Sequence, residues 1–215
     1  MFRVKGQAPC ETRASRRGEA AELHVSGLSM ASTRGWASIG GQRFPCALGR
    51  SGRRTVKREG DGATPVGAFK VRRAFYRPDR LMRPATRVPL EPLRPDDGWC
   101  DAVGDRNYNR KVKHPYPASA EQMWREDHLY DLIIVLDHNE RPRVQGGGSA
   151  VFMHVARGDF EPTAGCIAFQ RPELLRLLKL LRPGTTVRIA PWARPAAPPD
   201  RRAMNMKAPG TRAPG

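Results

Sequence analysis

Short apolar runs separated by Gly, Pro and Asp recur along the chain, at 22–25, 41–48, 67–74, 131–137, 151–155, 166–169 and 185–189. Runs this short, rich in Val, Ile and Phe and bounded by turn formers, predict strands rather than helices. Asp131-Leu-Ile-Ile-Val-Leu-Asp137 is apolar at both parities, the pattern of a central strand covered on both faces. Helical periodicity is clear over Pro172–Arg182, with Pro172 in the first turn, Glu173 near the positive end of the dipole, and Pro183-Gly184 as the stop. A second helix is expected over Ser119–Leu129, where Ser119 and Gln122 stand at capping-box spacing. The sum is a mainly β domain with one or two covering helices, its strands packed as a sandwich or open barrel.

This patterned region spans 23–190. Residues 1–22 show no hydrophobic period and are rich in Arg, Glu and Ala, which is expected of a disordered tail or of a start assigned too far upstream. Residues 191–215 are rich in Pro, Ala, Gly and Arg and poor in β-branched residues, so they are expected to be disordered. A chain of 215 residues accommodates one domain of ordinary size. No apolar run approaches the roughly 18 residues of a membrane helix, and no N-terminal apolar stretch of about 7 to 15 residues marks a secretory signal.

Lys and Arg total 38 against 21 Asp and Glu, a formal net charge of +17. Most of that excess lies between the two tails. A basic surface of this size attracts polyanions: nucleic acid, an anionic lipid face or a carboxylate-rich wall polymer. The basic runs Gly49–Arg54 and Lys57-Arg58 lack interleaved aromatics for base stacking, so no specific nucleic-acid partner is expected.

The four cysteines are too few and scattered for a disulfide scaffold, and no Cys or His cluster has metal-ligand spacing. Cys46 and Cys100 read as packing thiols, Cys10 lies in the N-terminal tail, and His24, His114 and His128 have no partner at ligand spacing. The chemically dense stretch is Phe152–Phe169. Strand alternation puts Phe152 and His154 on one face. Twelve residues after His154 comes Cys166, and a loop turned by Gly158 and Pro162 can bring the two strand ends side by side. An imidazole that removes the thiol proton makes a far stronger nucleophile than the neutral thiol. Gly165, lacking Cβ, lets the backbone turn sharply and aim the Gly165 and Cys166 N–H groups at a developing oxyanion, while the Thr163 hydroxyl braces the turn. A His and a Cys on apolar segments are also what core packing produces, so spacing alone leaves packing and catalysis both open. Trp99–Asn109 is either a cleft wall or a loop held by its own Asx turns. Asp137-His138-Asn139 reads as a turn or a cleft edge, and Gln145–Ser149 as a hairpin tip, because no Lys-Ser/Thr follows its glycines.

Residue identity adds to this reading. Thr163-Ala-Gly-Cys-Ile-Ala-Phe169, preceded by His154, resembles the signature of the L,D-transpeptidase catalytic domain, and Asp61-Gly-Ala-Thr-Pro-Val-Gly-Ala-Phe69 resembles the same family's Thr-Pro-x-Gly-x-Phe/Tyr segment. The resemblance covers roughly 23–190 and implies a β-sandwich of mixed sheets. It implies that Cys166 is the nucleophile and His154 the general base and acid, with the imidazole oriented by a main-chain carbonyl of Val155 or Ala156. Thr163, Ala164 and Gly165 would frame the oxyanion and substrate. Three departures stand out: Val155 where the family has Gly or Ser, Ala168 where it has Arg, and a short loop between His and Cys. Arg157 is the stand-in expected to bind a substrate carboxylate.

The activity implied is attack by the Cys166 thiolate on a diaminopimelate–D-Ala bond of a peptidoglycan stem peptide, release of D-Ala, and a thioester resolved by an acceptor amine. Water in place of the amine would make an L,D-carboxypeptidase. The resemblance further implies sensitivity to carbapenems, no metal or organic cofactor, and a place in the cell envelope or periplasm. A reading from a different class is a non-catalytic basic module that binds a polyanion.

Overall fold

Alternating burial begins at the first described residues. The computed structural model describes residues 22–191, so the two expected tails, apart from Glu22 and Pro191, lie outside the described residues. β1 (Leu23–Ser26) buries Leu23 and Val25, and β2 (Arg34–Ile39) buries Gly35, Ala37 and Ile39. Gly40 and Gly41, both at positive φ, form the tight turn into β3 (Gln42–Ala47), a conformation that L side chains resist. Two short strands follow, β4 (Arg53–Arg54) and β5 (Thr64–Pro65), then the long β6 (Gly67–Tyr76). Next come β7 (Leu90–Pro92), β8 (Asp97–Cys100), β9 (Arg110–Lys113) and β10 (Ala120–Gln122). The described residues end with β11 (Leu132–Leu136), β12 (Phe152–Val155), β13 (Ile167–Phe169), helix α1 (Arg171–Leu180) and β14 (Thr186–Ile189).

Nine strands form one mixed sheet in the order β11-β12-β13-β3-β2-β1-β14-β6-β7, and a further antiparallel pairing of β11 with β6 closes it on itself. β12 and β13 run parallel, as do β1 and β14, and the other neighbours are antiparallel except β6 and β7. Closure explains the double-sided apolar run of β11. Leu132, Ile134 and Leu136 enter the main core with Leu23, Phe44, Met153, Ile167 and Phe169, whereas Ile133 and Val135 enter a second cluster with Phe75, Trp99, Met123, Tyr130 and Phe152. That second cluster takes in Trp99 of β8 and Met123 just after β10, from the separate three-stranded sheet β10-β8-β9 and its edge. α1 lays Leu174, Leu177 and Leu178 on the main core, with Glu173 in its first turn and Lys179 in its last, both complementary to the dipole.

The fold is the mainly β arrangement of mixed sheets expected from the sequence. The expected helix at Ser119–Leu129 is absent. In its place Ala120, Glu121 and Gln122 form β10, paired with Cys100, Trp99 and Gly98 of β8, and the rest is irregular. This segment has no apolar stripe of helical width, so a nearby strand edge wins over its weak local preference. Buried Arg53 ties β4 to the segments that follow β1 and β14 by donating to the carbonyls of Gly27, Ser29 and Ala190.

Truncating Leu177, fully buried on the inner face of α1, to Ala is expected to lower unfolding free energy by about 2–5 kcal/mol in urea titration. Exposed Lys179→Ala is expected to stay within about 0.5 kcal/mol of the parent.

Candidate active site

The parallel pairing of β12 and β13 sets His154 opposite Ala168 and places Cys166 immediately before β13. His154 shares its side of β12 with Phe152, away from Met153 and Val155, which pack in the main core. Its Nδ1 lies 2.8 Å from the Val155 carbonyl oxygen. A carbonyl only accepts, so Nδ1 carries the proton and Nε2 keeps its lone pair in the neutral ring. Burial pulls the imidazole pKa down to about 4 despite that bond. The ring of Tyr130 meets the imidazole edge-on, with centroids 5.4 Å apart.

The Cys166 thiol donates to the Ala150 carbonyl at 3.1 Å and accepts the Phe152 N–H at 3.3 Å, rather than bonding to His154. Burial, reinforced by the charge of Glu121, pushes its pKa up to about 12. The pair at rest is therefore a neutral thiol beside a neutral imidazole. Ala150 is held at φ +50°, unusual for a residue with Cβ, and its N–H is gripped by Asn109 Oδ1 at 3.2 Å.

The turn before Cys166 is built by two threonines. Thr163 Oγ1 donates to the Cys166 carbonyl at 2.7 Å and accepts the Gly165 N–H at 3.1 Å. Thr64 Oγ1 donates to the same carbonyl at 3.3 Å and accepts the Gly49 N–H at 2.8 Å. Gly165 stands at φ +138°, where a Cβ would lie 2.8 Å from the Ala63 carbonyl oxygen. The Thr-Pro segment and the Gly-Cys segment, remote in sequence, thus touch directly. One expectation changes: the Gly165 N–H is used inside the turn by Thr163, not left pointing at an oxyanion.

These residues open onto one cavity of about 600 Å³, lined by His154, Cys166, Thr163, Ala164, Gly165 and Arg157 among others. The sequence profile of the L,D-transpeptidase catalytic domain, YkuD, matches residues 33–189. The chain belongs to this family. No curated protein and no solved structure matches it.

The rest of the cavity wall of this L,D-transpeptidase domain carries many charged groups, several of them paired. Lys57 Nζ sits 2.6 Å from Asp61, both side chains nearly buried. Burial alone would raise the Asp61 carboxyl, but the Lys57 ammonium and the N–H groups of Ala63 and Arg58 lower it. Arg157, the expected carboxylate binder, does reach the cavity, with one nitrogen 2.8 Å from Asp127. Asp127 is also forked by Arg125 at 2.9 and 2.6 Å, and the Arg125 guanidinium lies over the Tyr130 ring. In the same cluster Tyr130 donates to Glu121 at 2.7 Å, Arg125 lies 3.8 Å from that carboxylate, and burial raises the Glu121 carboxyl. Val155 contributes only its backbone, its side chain being in the core.

Lys57, Glu121, Arg125, Tyr130 and Ala150 all line the cavity and were not legible as site residues. Lys57 carries a faint signal, four positions before Asp61 of the Thr-Pro segment. Glu121 carries none, because a helix was expected there. Trp99–Asn109 proves to be partly core and partly wall: Trp99 packs edge-on against Phe152, Asp101 reaches the cavity, and Asp105 holds an Asx turn with the Asn107 N–H. Asp137–Asn139 forms a turn in which Asn139 bonds the Val144 backbone. Among the described residues no group of three or more His, Cys, Asp or Glu side chains is placed to hold a metal ion.

A thiol held near pKa 12 by burial is protonated at neutral pH. Iodoacetamide alkylation of Cys166, followed by peptide mass spectrometry, is expected to be slow at about pH 7. It should keep rising beyond about pH 10, where an ordinary thiol of pKa about 8.5 has levelled off. A plateau near pH 9 contradicts this picture.

Proposed function

We propose that this domain is a cysteine-dependent L,D-transpeptidase acting on peptidoglycan stem peptides, with residues 23–190 as its catalytic unit and the cell envelope as its place of action. The observation that carries the reading is the convergence on one cavity of the Cys166 thiol and an imidazole whose Nε2 lone pair is free because Nδ1–H is spent on the Val155 carbonyl. In the proposed reaction Nε2 of His154 takes the thiol proton as substrate displaces the Ala150 contact. The sulfur attacks the carbonyl carbon of the diaminopimelate–D-Ala bond. The oxyanion rests on the Cys166 N–H, since Thr163 occupies that of Gly165.

Collapse of the tetrahedral adduct breaks the C–N bond, and the imidazolium returns its proton to the leaving D-Ala nitrogen. A thioester on Cys166 remains. An acceptor amine, deprotonated by the same Nε2, completes the cross-link and regenerates the thiol. The charged walls suit a ligand bearing both signs: Arg157 and Arg125 can take a carboxylate, and Glu121 and Asp101 can face an ammonium. Arg157 thereby fills the part of the family's Arg that Ala168 lacks.

A carbapenem serves as acyl donor for the test. Intact-mass spectrometry is expected to show one covalent adduct on the wild type and none on Cys166→Ala, and His154→Ala is expected to slow acylation by about 10²–10⁴-fold. An undiminished adduct on Cys166→Ala rules the assignment out. With a disaccharide-tetrapeptide, cross-linked dimer supports transpeptidation, whereas free D-Ala with no dimer assigns hydrolysis.

The acid limb of the acylation rate follows from the depressed imidazole. A base of pKa about 4 stays unprotonated above that value, so the rate is expected to hold from about pH 7 down to about 5 and to fall only as the pH approaches 4. A fall centred near 6.5, the ordinary histidine value, would show that substrate hydrates or recharges the ring.

A further inference from the structure

A second cavity, of about 630 Å³, lies between β6, β8, β9, β11 and the turn after β11. Its floor is apolar and rigid. Phe75, Val135 and Trp99 are buried there, and Trp99 Nε1 is fixed to Asn109 Oδ1 at 3.0 Å. Its rim is mostly cationic, with one carboxylate, Glu140, and the imidazole of His138 on the same lining. Three of the cations are matched: Arg72 by Glu140 at 2.6 Å, Arg73 by Glu91 at 3.2 Å, and Lys111 by Asp97 at 2.9 Å.

The other three, Arg110, Arg141 and Arg143, line the same cavity and have no carboxylate within 4.0 Å among the described residues. Arg143 is the most telling of them. Its Nε is buried and has no hydrogen-bond partner, an arrangement that costs free energy unless something supplies the acceptor. Burial and the like charge of Arg110 also pull its guanidinium down, an effect that Glu140 opposes and Arg141 adds to, so Arg143 is repelled by both neighbouring cations. An oxyanion would remove both penalties, filling the empty acceptor position and neutralising the repulsion.

The shape and charge of that oxyanion follow. Guanidinium forks match the oxygens of phosphate and carboxylate groups. Three unpaired guanidiniums around one cavity favour a group that concentrates two or more charges in a small volume, which a pyrophosphate does and a peptide with spaced carboxylates does not. The volume falls within the range of about 300–1,000 Å³ usual for small-molecule sites. We propose that this cavity binds a pyrophosphate group, free or esterified, through Arg110, Arg141 and Arg143. The site is distinct from the cavity of Cys166 and His154 and does not depend on the activity proposed there.

The test is calorimetric titration of the full chain with inorganic pyrophosphate at low ionic strength. Binding of one pyrophosphate per chain is expected, weakened about tenfold or more in Arg110→Gln/Arg143→Gln, the effect of losing at least one charge-assisted contact. The charge-matched control Lys179→Gln/Arg182→Gln, exposed at and just after the end of α1, should bind as the wild type does. If the Arg143 substitution prevents folding, the exposed Arg110→Gln and Arg141→Gln carry the same comparison. ADP in place of pyrophosphate separates the sources: tighter binding indicates an esterified ligand whose planar part lies on the Trp99 side, and equal binding indicates the free anion. No heat with the wild type, or equal weakening in the cavity and control variants, overturns the proposal, because the attraction is then only that of a basic surface. Binding to a single-stranded oligonucleotide or to anionic vesicles without binding to pyrophosphate overturns it as well.

Discussion

The carbonyl of Cys166 accepts two hydroxyl hydrogen bonds, one from Thr163 in its own turn and one from Thr64 in a distant strand. Much of the site hangs on this double contact. It draws the β4–β5 ribbon against the start of β13, brings the backbone of Ala63 so near that only glycine fits at 165, and fixes the direction in which the Cys166 side chain leaves the backbone. Gly49, whose N–H closes the same network on Thr64, adds the loop after β3, and the Gly49–Thr163 bridge repeats the connection through the backbone. A turn pinned from both sides in this way holds its geometry without relying on any single contact.

Burial governs the electrostatics. The thiol and the imidazole are both deep enough that the uncharged form of each is favoured, so the pair is not an ion pair at rest. The tautomer, set by one carbonyl bond, leaves the basic nitrogen where a proton can arrive. Around this neutral centre the charged groups are arranged as neighbouring pairs, Lys57 with Asp61 and Asp127 with two arginines. Nearly buried, Lys57 and Asp61 are strong orienting elements for each other, whereas the half-exposed Arg157 pair is screened by solvent.

Asn109 joins the two cavities. Its side-chain oxygen accepts from Trp99, on the floor of the basic cavity, and from Ala150, whose carbonyl holds the Cys166 thiol. Its amide nitrogen donates to the carbonyls of His138 and Asn139. One buried amide therefore satisfies polar groups from three segments that would otherwise be stranded beneath the small sheet.

Several features could be read from the chain alone because their physical signal is local. The doubly apolar run of β11, the helix beginning at Pro172 with its acidic start and Pro-Gly stop, and the strand ending in His154 each carry their pattern within a dozen residues. The two motifs that resemble the family's were visible for the same reason, and they do meet in space. Tertiary structure decided the rest. Ser119–Leu129 became a strand and turns because β8 offered an edge to pair with, a partner about twenty residues away that no local period encodes. With that pairing came Glu121 and Tyr130 at the cavity wall. The choice of Val155 over Ala156 as the orienting carbonyl, the capture of the Gly165 N–H by Thr163, and the pairing of Arg157 with Asp127 depend on distances of a few tenths of an ångström between separate segments. Alternation along a strand tells which face a side chain takes; it does not tell what the folded chain will place opposite it.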